Sequence, residues 1–532
     1  MKRLLAFTLP ALVCAGGACA QISQVQLTLG EVEEVLAQTV AYASRHNRSA
    51  TVAVTDREGF VLGVWDVDGG LPPSPGIVAG AVSRAGTAAF LSSDENAFTS
   101  RTAGYIVQQH FPVGVRNTPP GPLVGVGFSN LFYSDINRLK QIPPAFDPLA
   151  LTSASQSPGT RGKPVPLTSL NDSPGGVPLY KDGHLVGGVG VTGDGNPTNL
   201  SAAAAILAGR RQVKFTVGFK EGQDTDEDCA LAGQTHFRPT EEIHASRVLL
   251  GGIRIPYVHP RAVDIRDVED VPPLGTIGKA VPGYEPKAAP ALFPYPVARL
   301  GGIEGELRQP IRADPLPGRI GKAGRLSARE VEDILSLAAA RCKITRAGIR
   351  LPLGTGAKVF ITVVNNPHRN GVAPAVLGTF RAGEATMFSW DVAVQKARTA
   401  VFFSNAQLAM STRSTGFLSQ RYFPPGLDGR PFGPLFGFQE AVTLKTHPAT
   451  GKFPGNPNLP NGMTIFPGGF PLYRGGVLIG AIGISGDGVD QDDLIGASGC
   501  ADFLAPKLIR ADSYSYRGAR LPYAKFPRDP VK

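Results

Sequence analysis

The stretch PGGVPLYKDGHLVGGVGVTGDG, Pro174 to Gly195, returns as PGGFPLYRGGVLIGAIGISGDG from Pro467 to Gly488, and 13 of the 22 positions are identical. A chain that carries such a segment twice is built from two like units, each of which must house the same local structure. In both copies a Pro-Gly-Gly turn leads into a short strand, a glycine-containing reversal and a second strand rich in Val, Ile and Gly, which is the pattern of a β-hairpin. Glycine weakens a strand interior unless another group lies close on the bare backbone. Gly187 and Gly190, like Gly480 and Gly483, therefore mark a face covered either by a ligand or by a helix.

The duplication spreads outward from this hairpin. LTLGEVEEVL from Leu27 pairs with LSAREVEDIL from Leu326, and each places Thr28 or Ser327 three residues before a Glu, a capped helix start. A hairpin and a second helix follow in both halves. From Arg101 to Gly125 the chain matches Arg413 to Gly437 at a constant offset, with 11 of 25 positions identical. Beyond the quoted hairpin the first half carries an insertion, Asn196 to about Glu221, and then GQDTDEDCALAG resumes against GVDQDDLIGASG. The unit reads helix, hairpin, helix, long loop, hairpin, helix. The boundaries are expected at 1–20 for a signal peptide, 21–261 for the first domain, 262–325 for a linker with ten prolines, and 326–532 for the second domain. An α+β class with antiparallel strands in one sheet and helices packed on it is the economical architecture. The two halves are expected to pack as a pseudo-twofold pair.

Composition narrows the setting. Lys2 and Arg3 precede a short apolar run that ends in Ala18-Cys19-Ala20, so cleavage after Ala20 and a periplasmic or secreted location are expected. No other segment is long and apolar enough to span a bilayer, which predicts no stable membrane insertion after cleavage. The formal charge of +10 is spread along the chain without a dense basic block, which argues against nucleic acid as a partner. Removing the leader leaves Cys229, Cys342 and Cys500, enough for at most one intramolecular bridge.

With the Pro-Gly-Gly-x-Pro-Leu turn, the Gly-rich strand, Lys396 and Thr399 in the second helix, and Asp492 at an acidic helix start, each half resembles the GlcG/HbpS-like haem-binding family. The second half is the closer; the first places Arg84 where Lys396 sits. The resemblance implies two profilin-like α/β sandwich domains in tandem, an antiparallel sheet flanked by helices in each. It also implies haem or another small-molecule ligand in some members, and oligomers. It implies no agreed reaction, and no nucleophile elbow, phosphate loop or metalloprotease motif is present to name one.

Candidate ligand-binding residues are those that recur: Arg101 with Arg413, Tyr180 with Tyr473, and the turn glycines Gly175, Gly176, Gly468 and Gly469, with Lys396 added in the second half. Arg clamps carboxylates bidentately, which suits an anionic tetrapyrrole or organic acid, or else it forms a helix-surface ion pair. The acidic runs Asp224 to Glu227 and Asp490 to Asp493 cap a helix start; Asp487, Asp490 and Asp492 also compose a candidate hard-cation site. Haem needs an axial ligand, yet the histidines do not repeat: His110 falls opposite Tyr422, His184 opposite Val477 and His236 opposite Asp502. The expectation is an exported tandem protein that binds haem or another small anionic ligand non-covalently, better in the second half. The alternatives are an envelope interaction module with vestigial pockets, joined to a protein partner or homo-oligomer, and an uncharacterised enzyme.

Overall fold

The computed structural model describes residues 25–126, 170–193, 225–260, 268, 270–292, 295–445, 456 and 458–525. The leader and the Asn196 to Glu221 insertion lie outside the described residues. Helix α1, Leu29–His46, starts where the sequence places it: the Thr28 hydroxyl accepts from the Glu31 N–H at 3.3 Å, and the Glu31 carboxylate accepts from the Thr28 N–H at 2.8 Å. Strands β1, Thr51–Asp56, and β2, Val61–Asp66, form the first hairpin. Helices α2, Pro75–Leu91, and α3, Ser100–Ile106, follow, then β3, Gly176–Lys181, β4, His184–Thr192, and α4, Thr225–Gly233. The small hairpin of β5, Leu249–Leu250, and β6, Ile253–Arg254, ends the first unit.

The second half repeats this order. After β7, Lys279–Ala280, β8, Val297–Leu300, and β9, Ile303–Gln309, come α5, Ala328–Cys342, β10, Phe360–Asn365, and β11, Val376–Ala382. Then follow α6, Phe388–Phe402, α7, Thr412–Leu418, α8, Phe438–Lys445, β12, Gly469–Arg474, β13, Val477–Ser485, and α9, Val489–Gly499. A closing pair, β14, Ser515–Tyr516, with β15, Ala519–Arg520, mirrors β5 and β6.

Each half is an antiparallel sheet between two helical layers, so the chain is two α/β sandwiches in tandem. The strand orders are β3-β4-β1-β2-β7 and β12-β13-β10-β11-β9-β8. Every residue of β1 and of β10 is buried, because helices cover both faces of a central strand. On one face Leu36, Val35 and Val40 of α1 meet Val52, Val54 and Val191; on the other, Ala81 and Val82 of α2 meet Ala53 and Val64. Gly190 and Gly483 of the repeated hairpin belong to this second face, whereas a Cβ on Gly187 or Gly480 would meet the Thr55 or Val364 carbonyl of the neighbouring strand. A Cβ on Gly190 would stand 2.3 Å from the Ala81 carbonyl oxygen, and one on Gly483 would stand 2.0 Å from that of Ala393. Of the two coverings the sequence allows, a helix is the one in place.

The stretch expected as a linker is part of the sheets: β7 pairs with β2, and β9 pairs with β11. The prolines stand outside these strands, and the segment adds β7 to the edge of one sheet and the β8–β9 hairpin to the edge of the other. The three cysteines are buried and free. Among the described residues no helix is long and apolar enough to cross a membrane.

The halves share an interface that is part apolar and part polar. His110 stacks on Tyr422 at 6.1 Å between ring centroids, and Arg116 faces Asp428 at 3.5 Å. Both pairs join equivalent positions of the two copies, the meeting that a local twofold produces. Other contacts use a segment that the first half lacks, between α5 and β10. There Arg350 donates to Ser93 Oγ at 2.7 Å and Lys358 pairs with Glu95.

The second capping box gives a test. Burial pushes the Glu330 carboxyl up, but hydrogen bonds from Ser327 and the Arg474 guanidinium outweigh it and hold the group below its usual range. A depressed folded-state pKa stabilises above the unfolded value, and that gain is lost as pH falls through the folded value. Ser327→Ala is expected to cost about 1 kcal/mol. Glu330→Gln is expected to destabilise near pH 7 and to lose its effect near pH 3, as read by urea unfolding at the two pH values.

Candidate functional site

The residues that recur in sequence recur as one buried network. In the second half, Lys396 reaches from α6 to the Ile484 carbonyl of β13 at 2.6 Å and to Asp492 Oδ2 of α9 at 2.7 Å. In the first, Arg84 of α2 donates to the Val191 carbonyl of β4 and to Asp226 Oδ2 of α4, the latter at 2.7 Å. The substitution of Arg84 for Lys396 thus preserves the bonds, since both side chains are donors long enough to span helix, strand and helix. Burial pushes the Asp492 carboxyl up, to about 7, against the pull of Lys396, and pushes the Lys396 ammonium down.

The other expected residues are bonded to protein groups as well. Arg101 pairs with Glu227 at 2.8 Å, and Arg413 pairs with Asp493 and Asp490, each at 2.7 Å. These are inter-element bridges, and Glu227 and Asp493 are buried. The Tyr180 hydroxyl donates to the Ser93 and Asn96 carbonyls, and that of Tyr473 to Asn405 and Leu408. The N–H groups of Gly176 and Gly469 donate to Ser100 Oγ and Thr412 Oγ1, both at 2.8 Å. Gly175 and Gly468, at φ of +117° and +114°, turn the chain beneath the Arg84 and Lys396 side chains. The nine candidates fall in two sets, one in each half, and in each set the tyrosine bonds to loop carbonyls and the arginine to a buried carboxylate.

The acidic runs supply the anionic side of these pairs from the first turns of α4 and α9; the cap position of α9 is Gly488, which offers no side chain to the helix, and Asp224 lies outside the described residues. Asp487 pairs with Arg350 at 3.0 Å, so each carboxylate of the candidate cation site already has a cation beside it. No cluster of three or more metal-ligating side chains occurs among the described residues.

Open space lies elsewhere. A cavity of about 500 Å³ in the second half is bounded by the loop between β10 and β11, the end of α6 and the start of β13. Val401, Phe402 and Leu478 wall it, and His368 and Arg369 stand at its rim. The loop is fixed from both ends. Asn366 Oδ1 accepts from the His368 N–H at 2.9 Å, which helps hold His368 at φ +52°, and Asn458 donates to the Arg369 and Val372 carbonyls at 3.3 and 2.9 Å. Neither the His368 imidazole nor the Arg369 guanidinium has a side-chain partner among the described residues.

The corresponding place in the first half is filled. Its hairpin turn is short, and Gly59 brings the backbone so near the Phe90 ring that a Cβ would stand 2.7 Å from it. Phe90 is the counterpart of Phe402. Arg57 and the Asp94 N–H on this side are both engaged by Glu384 of the second half. The signal that could have located the cavity is the loop PHRNG, which only the second copy carries.

A test separates the network from the cavity. Lys396→Ala leaves Asp492 buried without its cation, a change expected to cost about 3–5 kcal/mol in urea unfolding. Ligand affinity of the fraction that remains folded is expected to stay as in the parent.

The family described as "Haem degrading protein HbpS-like" matches residues 27–208 and 331–501. Among solved structures, a PduOC–haem complex is 23% identical, covering 34% of this chain and 98% of its own at a TM-score of 0.24. Protein ORFY of Klebsiella pneumoniae is 19% identical, with 35% and 94% covered at 0.24. A double mutant of HbpS from Streptomyces reticuli is 20% identical, with 36% and 97% covered at 0.21. No curated protein matches. Matched in both halves and over more than half of its length, the chain belongs to the HbpS-like family, two copies of the domain in tandem.

Proposed function

We propose that this is an exported protein whose second domain binds haem, or a closely similar small anionic ligand, non-covalently in the cavity beside His368. The observation that carries the reading is a cavity of about 500 Å³, walled on one side by Val401, Phe402 and Leu478, with an uncommitted imidazole and guanidinium at its rim. That volume is within the range of small-molecule sites, roughly 300–1,000 Å³. A porphyrin brings a flat apolar ring, an iron that accepts imidazole nitrogen, and carboxylates that suit arginine. Val401, Phe402 and Leu478 meet the first need, His368 the second and Arg369 the third. The family description supplies haem as the ligand to try first.

Among the described residues the corresponding place in the first domain is closed by Phe90, so one ligand per chain is expected. Titration of the purified protein with hemin is expected to give a Soret band that saturates at one equivalent. Phe402→Trp, which fills the cavity, is expected to abolish it. His368→Ala is expected to shift the band and lower affinity by about tenfold or more, with partial recovery in imidazole. Saturation at two equivalents, or no response to either variant, would count against this site. Export is checked by the mass of the mature N-terminus, expected at Gln21.

A further inference from the structure

A second cavity, of about 300 Å³, lies between the two domains and exists only because they are joined. The first domain lends it Phe98, Ile106, Leu123 and Leu250, and the second lends Ile349 and Phe388. Its walls are held in place by the interdomain contacts. Arg350, fully buried, ties Ser93 to Asp487 at 2.7 and 3.0 Å, and the Leu351 N–H donates to the Glu95 carbonyl at 3.1 Å. An apolar cavity of about 150 Å³ is enough to hold benzene, so this one has room for a ring with a short chain.

Charge at the rim decides what kind of molecule that is. The two carboxylates there are already neutralised: Asp487 accepts from Arg350 and from the Lys358 N–H, and Asp490 pairs with Arg413 at 2.7 Å and Lys525 at 2.9 Å. Arg346 also lines the cavity, is exposed, and has no carboxylate partner among the described residues. A neutralised rim with one uncommitted guanidinium favours an anionic head on an apolar body.

We infer that the interdomain cavity is a second ligand site, which takes a small monocarboxylic acid with an apolar, ring-bearing body and receives its carboxylate at Arg346. The site is independent of the haem cavity, and bound acid contacts both domains at once.

The test is calorimetric titration of the full chain with hydrocinnamate and with its neutral amide. The acid is expected to bind at one equivalent, and the amide about tenfold or more weakly, which is about 1.4 kcal/mol. Arg346→Gln, at an exposed position, is expected to remove the difference between the two. Leu250→Trp, which places a larger ring in the cavity, is expected to weaken binding of both about tenfold or more while near-UV circular dichroism and hemin titration match the parent. The inference is overturned if neither compound binds, if acid and amide bind equally, or if Leu250→Trp leaves acid binding unchanged.

Discussion

In each domain a buried cation ties helix, strand and helix together. Lys396 in the second half and Arg84 in the first lie between a helix on one face of the sheet, the strand that helix covers, and the helix on the opposite face. Hydrophobic burial brings these layers together without fixing their register, because it is non-directional. A charge that must meet one carboxylate and one carbonyl does fix it. An unpaired charge in such a place is costly, so the carboxylates, the arginines that pair with their neighbours and the glycines that let α2 and α6 approach are tied to one another.

This explains why the recurring polar residues are architectural. Arg101, Arg413, Tyr180, Tyr473 and the Pro-Gly-Gly turns look like a ligand site in sequence because they are polar, repeated and grouped around glycine. In space each is satisfied by another protein group: the arginines by buried carboxylates, the tyrosines by loop carbonyls and the turn N–H groups by hydroxyls. The uncommitted polar groups are those that do not recur: His368 and Arg369 in a loop found only in the second copy, and Arg346 in the segment that only the second copy inserts before β10. Duplication doubled the scaffold, and the differences between copies opened the cavities.

Joining the copies has a further structural result. The segment around 279–309 lengthens both sheets by edge pairing, and Arg350 carries a buried bond across to the loop that follows α2. In the first domain the same region that forms a cavity in the second is closed by Phe90 and by contacts to Glu384. The halves are alike in fold and unlike in what they leave exposed.

The sequence by itself determined the duplication, the α+β class, the capped starts of α1 and α5 and both hairpins, since these rest on local periodicity, turn chemistry and capping within a few residues of chain. Only the tertiary structure decided that Lys396 and Asp492, ninety-six residues apart, neutralise each other, that a helix covers Gly483, and that Phe90 closes a space that Phe402 lines. Whether a polar group is free to meet a ligand depends on which distant groups reach it first. That is settled by packing across the sheet, which no local pattern records.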